Sequence, residues 1–376
     1  MRKFIAKIQK LIKAEPVLLI SALAAAITMF LIPPSLNYLS YLDLRVLSLL
    51  FCLMAVIAGF NETGVFGVLS GSLLKRVKNM RSLGFVLIML CFFSAMFITN
   101  DVALITFVPF TIMILSITGQ KKYLIRIIVL QTIAANLGSM LTPVGNPQNL
   151  YLYSAYDIPI KEFLKITFPY TAASFFLISI TAFMIRREPL KFVLPGKESN
   201  GRKNNCRIAI YGGLFLVCLI CVLHLLDYRC TLIIVLAGIF LSDRRVLKKV
   251  DYTLLLTFVC FFLFVGNIQN ISAVRDCLAD LLKGLELPAA VAASQLISNV
   301  PAAILLSAFT DDYKAILLGT DIGGLGTLVA SLASLISYKF YCRTENAKPG
   351  KYLYVFTGYN LAFLILLCVL YYWGNV

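Results

Sequence analysis

At 376 residues, 60% of them hydrophobic and with a mean hydropathy of +0.88, the chain is too apolar for two or three soluble domains and reads as an all-α polytopic membrane protein. Its apolar runs are long and continuous rather than short and alternating, which excludes a β-barrel. The formal charge of +16 would suit a nucleic-acid binder by size but not by placement: Lys and Arg gather in 1–16, 75–82, 119–126, 186–207, 243–251 and 338–351, leaving Arg45, Lys161, Lys165, Arg229, Arg275, Lys283 and Lys314 elsewhere. That asymmetry is the positive-inside pattern of a cell-membrane protein with a cytoplasmic N-terminus, and no nucleic-acid partner is needed to explain the charge.

Residues 1–16 begin "MRKFIAKIQKLIK", expected to be a retained basic interfacial helix rather than a cleaved signal, because no small-residue cleavage pattern follows. A first repeat spans 17–186. Its first crossing runs from Val17 to Leu31 and stops at Pro33 and Pro34, and a second, Leu44 to Leu74, is expected to break near "GFNETG". The run 82–118 is apolar except at Thr99, Asn100 and Asp101, with basic residues on both flanks. A re-entrant hairpin with its polar tip at membrane depth fits that pattern. An interrupted span, "LGSMLTPVGNPQNL", follows.

After a cytoplasmic linker at 187–207, a second repeat covers 208–376. Two crossings, 208–226 and 231–241, precede "LLLTFVCFFLFVGNIQN", which resembles "LSLLFCLMAVIAGFNETG". A second hairpin, 286–310, has the tip "SNV" and acidic flanks at Glu286, Asp311 and Asp312, so it is expected to open from the opposite face. The interrupted span "LGTDIGGLGTLVA" aligns with the first by setting Gly138 on Gly319, Ser139 on Thr320 and Gly145 on Gly326. An odd number of crossings between the halves makes the repeats inverted, the pattern that points to a midplane site in a secondary transporter.

Thr, Asn and Asp are poor helix-interior residues but good caps, so each tip can end one half-helix and start the next, aiming unpaired N–H groups and a positive dipole end at an anion. Asn100 and Asn299 add side-chain donors. In "TPVGNPQN", Pro143 and Pro147 remove donors while Gly145 permits an unusual turn, freeing oxygens for a small cation, and the glycines of "GTDIGGLGT" do the same. Asp101 is the sharpest residue: an ionised carboxylate at membrane depth costs on the order of 2.5 to 3.5 kcal/mol, so it must meet a cation, take a proton or face water. Asp321 carries the same choice, whereas Glu62 lies nearer a predicted surface. Cys218, Cys221 and His224 have helical spacing but too few ligands for a metal site. With one His, no His-Glu-x-x-His spacing and no paired Gly-x-Gly-Asp motif, the chain is not read as an enzyme. The ATP-binding Gly-x-x-x-x-Gly-Lys-Ser/Thr pattern is also absent, so energy must come from a gradient.

"ITNDVALITFVPF", "LTPVGNPQNL", "SNVPAA" and "GTDIGGLGTLVASLASLI" resemble the hairpin tips and interrupted helices of the ion transporter superfamily, which includes citrate transporters, divalent anion:sodium symporters, arsenite permeases and a class of sodium/proton antiporters. The resemblance covers roughly residues 20 to 370. It implies a scaffold part, a transport part that moves as an elevator, no cofactor beyond sodium as a coupling ion, and a homodimer, since members are often dimers. The dicarboxylate symporters carry Ser-Asn-Thr at both tips; here the tips are Thr99-Asn100-Asp101 and Ser298-Asn299-Val300, closer to the arsenite-permease branch. The resulting expectation is a small anion, carboxylate or oxyanion, moved with sodium or protons, with sodium/proton antiport as the rival. Thr99, Asn100, Ser298 and Asn299 would contact substrate and ion, Asp101 would bind a cation or proton, and Thr142, Gly145, Asn146, Asn149, Gly323, Gly324, Gly326 and Thr327 would build two cation sites.

Overall fold

The structure, a computed structural model, describes residues 16–35, 38–64, 77–190 and 202–374. The basic N-terminal segment up to residue 15 and most of the 187–207 linker lie outside them. Among the described residues every regular element is helical, apart from one isolated bridge between Asn79 and Pro189. In chain order the helices of nine residues or more are α1 (Pro16–Leu31), α2 (Leu44–Thr63), α3 (Met80–Ile98), α4 (Asn100–Ile117), α5 (Leu124–Ser139), α6 (Pro147–Ala155), α7 (Ile160–Phe183) and α8 (Arg202–Val222). There follow α9 (Tyr228–Ser242), α10 (Tyr252–Gln269), α11 (Ser272–Leu282), α12 (Glu286–Ile297), α13 (Asn299–Ser307), α14 (Tyr313–Gly323), α15 (Leu332–Cys342) and α16 (Pro349–Gly374).

Among the described residues, six of these, α2, α3, α4, α7, α10 and α16, are long and apolar enough to cross a bilayer. Apolar side chains such as Phe168, Phe176 and Ile180 on α7 and Ile365, Leu366 and Val369 on α16 point outward, where only lipid can accommodate so much exposed hydrocarbon. The protein is therefore an all-α polytopic membrane protein. Polar residues at the ends of the apolar runs act as caps: Asp43 accepts from the Val46 N–H at 2.9 Å, Asn79 from Ser82 at 3.0 Å, Asp251 from Leu254 at 2.9 Å and Asp312 from Ala315 at 3.0 Å.

The expected break near "GFNETG" falls at the last residue of that stretch. Helix α2 runs unbroken through Gly59, Asn61 and Glu62 and stops at Gly64, whose φ of 69° is the left-handed cap that glycine adopts at little cost. Residues 65–76, the rest of the predicted crossing, lie outside the described residues.

The hairpins form where the polar tips fall. Limbs α3 and α4 meet at Thr99, and α12 and α13 meet at Ser298. At 19 and 18 residues, α3 and α4 could each cross a bilayer by length, whereas α12 and α13, at 12 and 9, could not. The first tip nevertheless stops inside the protein: Asn100 is 4% exposed and lies against the break between α5 and α6, beyond which α6 adds nine more residues, about 13 Å of rise. Gln131 on α5 binds both limbs, donating through Nε2 to the Leu87 carbonyl at 3.0 Å and to Thr111 Oγ1 at 2.8 Å.

Glycines let the broken helices press onto the hairpins. A Cβ on Gly138 would stand 2.1 Å from the Phe92 carbonyl oxygen, and one on Gly323 would stand 2.7 Å from Ser294 Oγ and 3.0 Å from Val291 Cα. Around this unit, α1 packs on α10, and α8 and α9 pack on α2. Because the obstacle at Gly138 is backbone, Gly138→Ala is expected to destabilise the protein by about 1 to 3 kcal/mol. Gly213→Ala, with nothing within 4 Å on the exposed side of α8, should leave stability unchanged or raise it by about 0.5 to 1 kcal/mol. Thermal melting of the two purified variants checks both.

Candidate functional site

Each hairpin turns on one residue held in a conformation that normally belongs to glycine. Thr99 has φ 69° and ψ 150°, and Ser298 has φ 75° and ψ 153°. Such backbone costs on the order of 1 to 3 kcal/mol per residue and persists only where its surroundings dictate it. Here the surroundings are backbone hydrogen bonds. The Asn100 N–H donates to the Gly145 carbonyl at 3.1 Å, and the Asn299 N–H donates to the Ala330 carbonyl at 2.9 Å. Thr142 Oγ1 donates to the Met96 carbonyl at 2.5 Å, and Thr327 Oγ1 donates to the Gln295 carbonyl at 3.3 Å. Neither tip residue caps the next helix with its own side chain, and the first N–H of each second limb is taken by protein rather than left for an anion.

These matched bonds fix how the interrupted spans correspond. Thr142 plays the part of Thr327, Gly145 of Ala330, Gly138 of Gly323, Asn146 of Ser331 and Asn136 of Asp321. The alignment of Gly138 with Gly319 and Gly145 with Gly326 is therefore displaced by four residues, about one helical turn. A slip of that size keeps the same helix face, so glycine spacing alone could not detect it.

A buried polar cluster joins the two spans. Asn136 Oδ1 accepts from Asn100 Nδ2 at 3.0 Å and from Ser331 Oγ at 3.1 Å, while Asn136 Nδ2 donates to the Gly324 carbonyl at 3.4 Å. Asp321 Oδ1 accepts from Asn146 Nδ2 at 3.2 Å and from Gln148 Nε2 at 3.4 Å, and Asn146 Nδ2 also reaches Ser139 Oγ at 3.1 Å. Asn136 and Asp321, at equivalent positions, thus each hold the residue that starts the second half of the other span. Asn136, Gln148 and Ser331 were missed in the sequence; the available signal was an amide, "AANLGS", in a stretch otherwise fit for lipid.

The oxygens expected to serve cations are largely in use. The Gly323 and Leu325 carbonyls accept from Gln295 Nε2 at 2.8 and 3.0 Å, the Thr327 N–H donates to Gln295 Oε1 at 2.8 Å, and Gly326, at φ 104°, lies under the same amide. Gly145 and Gly324 are occupied as described above. Asn149 donates its N–H to Asn146 Oδ1 at 2.9 Å and its Nδ2 to the Met140 carbonyl at 3.3 Å.

In front of the tips lies a cavity of about 540 Å³. Thr99, Ser298, Asp101 and Asn146 stand on its wall, and Glu62, Lys249, Asp251 and Lys339 also line it. Asn100 and Asn299, each 4% exposed, are not on the wall but behind it. Glu62 pairs with Lys249, whereas Asp101 and Lys339 make no ion pair among the described residues. His224 Nδ1 lies 3.1 Å from Asp157 Oδ1, Cys218 and Cys221 are buried in the core, and no group of three metal-ligating residues occurs among the described residues.

A bundle of lipid-facing helices around a cavity walled by the tips of two hairpins has the build of a membrane transporter. The chain belongs to the citrate transporter family, whose profile matches residues 8–315. It is 33% identical over 308 residues to an uncharacterized transporter of Methanocaldococcus jannaschii, covering 81% of this chain and 83% of that one. It is 30% identical to the inner membrane protein YbiR of Escherichia coli K12, over 76% of this chain and 77% of that protein. The human P protein is 28% identical over 130 residues, 33% of this chain and 15% of that protein.

The strained tips give a stability test. Thr99→Gly and Ser298→Gly should each raise stability by about 1 kcal/mol, strain relief outweighing glycine's added chain freedom, while loosening the tip and lowering transport. Melting temperature and uptake measured on the same preparations check the opposition.

Proposed function

We propose that this protein is a secondary active transporter of a small anion, a carboxylate or oxyanion, driven by a sodium or proton gradient. The observation that carries the reading is the pair of tips: Thr99 and Ser298, in the same rare backbone conformation, share the wall of one cavity. The swapped bonds of Ser331 to Asn136 and Asn146 to Asp321 support two repeats related by inversion. On that reading the hairpins and interrupted spans form the moving part, and α1, α2, α8, α9 and α10 form a scaffold, an elevator that works as a homodimer. Lys249 and Lys339 lie in two of the basic segments assigned to the cytoplasm, so the cavity opens inward and the N-terminus is cytoplasmic. Hydroxyls of Thr99 and Ser298, with the backbone of Val102 and Val300 on the same wall, would face the anion. Asn100 and Asn299 would act from behind by fixing the tips.

One observation favours the rival, sodium/proton antiport without an anion. Asp101 faces the cavity with no ion-pair partner among the described residues, and the three carboxylates of the lining, Asp101, Glu62 and Asp251, outnumber its two lysines, Lys249 and Lys339, by one, a balance that does not favour a dianion. Proteoliposomes separate the readings. Citrate, succinate, arsenite, sulfate and phosphate are offered singly while sodium and pH gradients are varied independently. Cation-dependent accumulation of one anion is expected; sodium/proton exchange indifferent to every anion would favour the antiporter. Asp101→Asn should change the coupling and the pH profile, and an unchanged profile would reduce Asp101 to a cap.

A further inference from the structure

We propose that a basic pocket at the ends of α4 and α16 binds the headgroup of an anionic phospholipid. The pocket is a second cavity, of about 620 Å³, that shares no lining residue with the one in front of the tips. Lys121, Lys122, Lys348 and Lys351 line it, with Glu345 as the one carboxylate. It lies where apolar helices end: α4 stops at Ile117, α5 starts at Leu124, α15 stops at Cys342 and α16 starts at Pro349. The lysines come from the basic segments 119–126 and 338–351, which the positive-inside pattern assigns to the cytoplasmic leaflet. Ile112, Leu124 and Ile125 add hydrocarbon to the same wall. Next to it on α4, Met113 and Ile117 are 45% and 52% exposed, so the pocket continues into a lipid-facing surface. A lysine that only sets topology can stand anywhere on its face of the membrane. Lysines around a hollow with an apolar wall match an amphiphile, phosphate on the charges and acyl chain along α4.

Charge balance and rigidity point the same way. Lys121 Nζ lies 3.3 Å from Glu345 Oε2, and Lys122 Nζ lies 2.8 Å from Glu188 Oε2. Lys348 and Lys351 are exposed and make no ion pair among the described residues. Two positive charges are left over, which the two phosphates of a cardiolipin headgroup neutralise and a zwitterionic headgroup does not. The connection that carries Lys348 is already ordered: its N–H donates to Tyr341 Oη at 2.9 Å, and Thr344 Oγ1 donates to the Tyr341 carbonyl at 2.8 Å. Tyr341, 4% exposed, stacks on Tyr352 with ring centroids 4.8 Å apart. Binding therefore does not have to pay for ordering that backbone. Helix α4 carries the first tip at its other end, so an occupant that touches α4, Lys121 and the α15–α16 connection braces the hairpin against α16. The site is independent of what the protein transports.

The test is thermal melting of the full chain in a nonionic detergent, with cardiolipin, phosphatidylcholine or soluble glycerol phosphate titrated in. Cardiolipin is expected to raise Tm saturably, and the other two to leave it unchanged. Lys348→Gln combined with Lys351→Gln should raise the cardiolipin concentration needed for half the shift about tenfold or more. Arg245→Gln combined with Lys248→Gln, the same charge removed from a basic segment outside the pocket, should not change it. Glu345→Gln should lower it severalfold, and carries the test if the double lysine variant does not fold. A wild-type Tm indifferent to cardiolipin, an equal rise with phosphatidylcholine, or an equal loss in the Arg245 and Lys248 variant would overturn the proposal. So would a Glu345→Gln protein that needs as much cardiolipin as the wild type or more. A rise produced as well by glycerol phosphate would give the pocket to a soluble phosphate and overturn the lipid.

Discussion

Where a helix stops inside a membrane, its free N–H and C=O groups have no water to turn to, and the structure is organised around meeting that demand. The two hairpin tips and the two interrupted spans answer one another: the first N–H of α4 goes to Gly145 and that of α13 to Ala330. Gln295, from inside the second hairpin, takes up two carbonyls and one N–H of the facing loop. Each hairpin is thereby bound to one interrupted span. The strain at Thr99 and Ser298 is tolerable because these bonds would be lost if the tips relaxed.

The same bonds divide the polar residues into two sets. Behind the tips, Asn100, Asn136 and Ser331 form one buried hydrogen-bonded group, and Asp321 and Gln148 form a second with Asn146, which also reaches the cavity wall; together they specify geometry. In front, Thr99 and Asp101 are partly exposed on the cavity wall, which the buried Ser298 also lines. A rigid rear and an exposed front are what binding requires, since side chains that touch a ligand need others to hold them still. Exchange of partners between the two spans also means that neither half can shift alone without exposing buried amides.

Much of this was legible in the sequence, for identifiable reasons. Apolar runs near bilayer length gave the spans, and polar residues in the midst of such runs gave both tips to the residue, because little else puts Thr-Asn-Asp in hydrocarbon. Three things were not legible. The register between the interrupted spans was off by one turn, since glycines recur on one face and only the tip bonds fix the match. The direction of Asn100 and Asn299 depends on a φ near 70° at the preceding residue, which Thr and Ser do not advertise. The glycine carbonyls looked free for a cation because Gln295, which occupies them, lies 28 residues away in the chain from Gly323. Helix α2 continues through Gly59, against which Tyr211 of α8 fits, to its left-handed cap at Gly64.

The central claim is that both tips front one cavity inside the membrane. With the native cysteines replaced, Thr99→Cys and Ser298→Cys can be challenged with a membrane-impermeant thiol reagent in inside-out and right-side-out vesicles. A shared cavity predicts that the two positions react together from the cytoplasmic side and are shielded together by the transported ion. Tips reacting from opposite faces, each as fast as a thiol in bulk water, would contradict it.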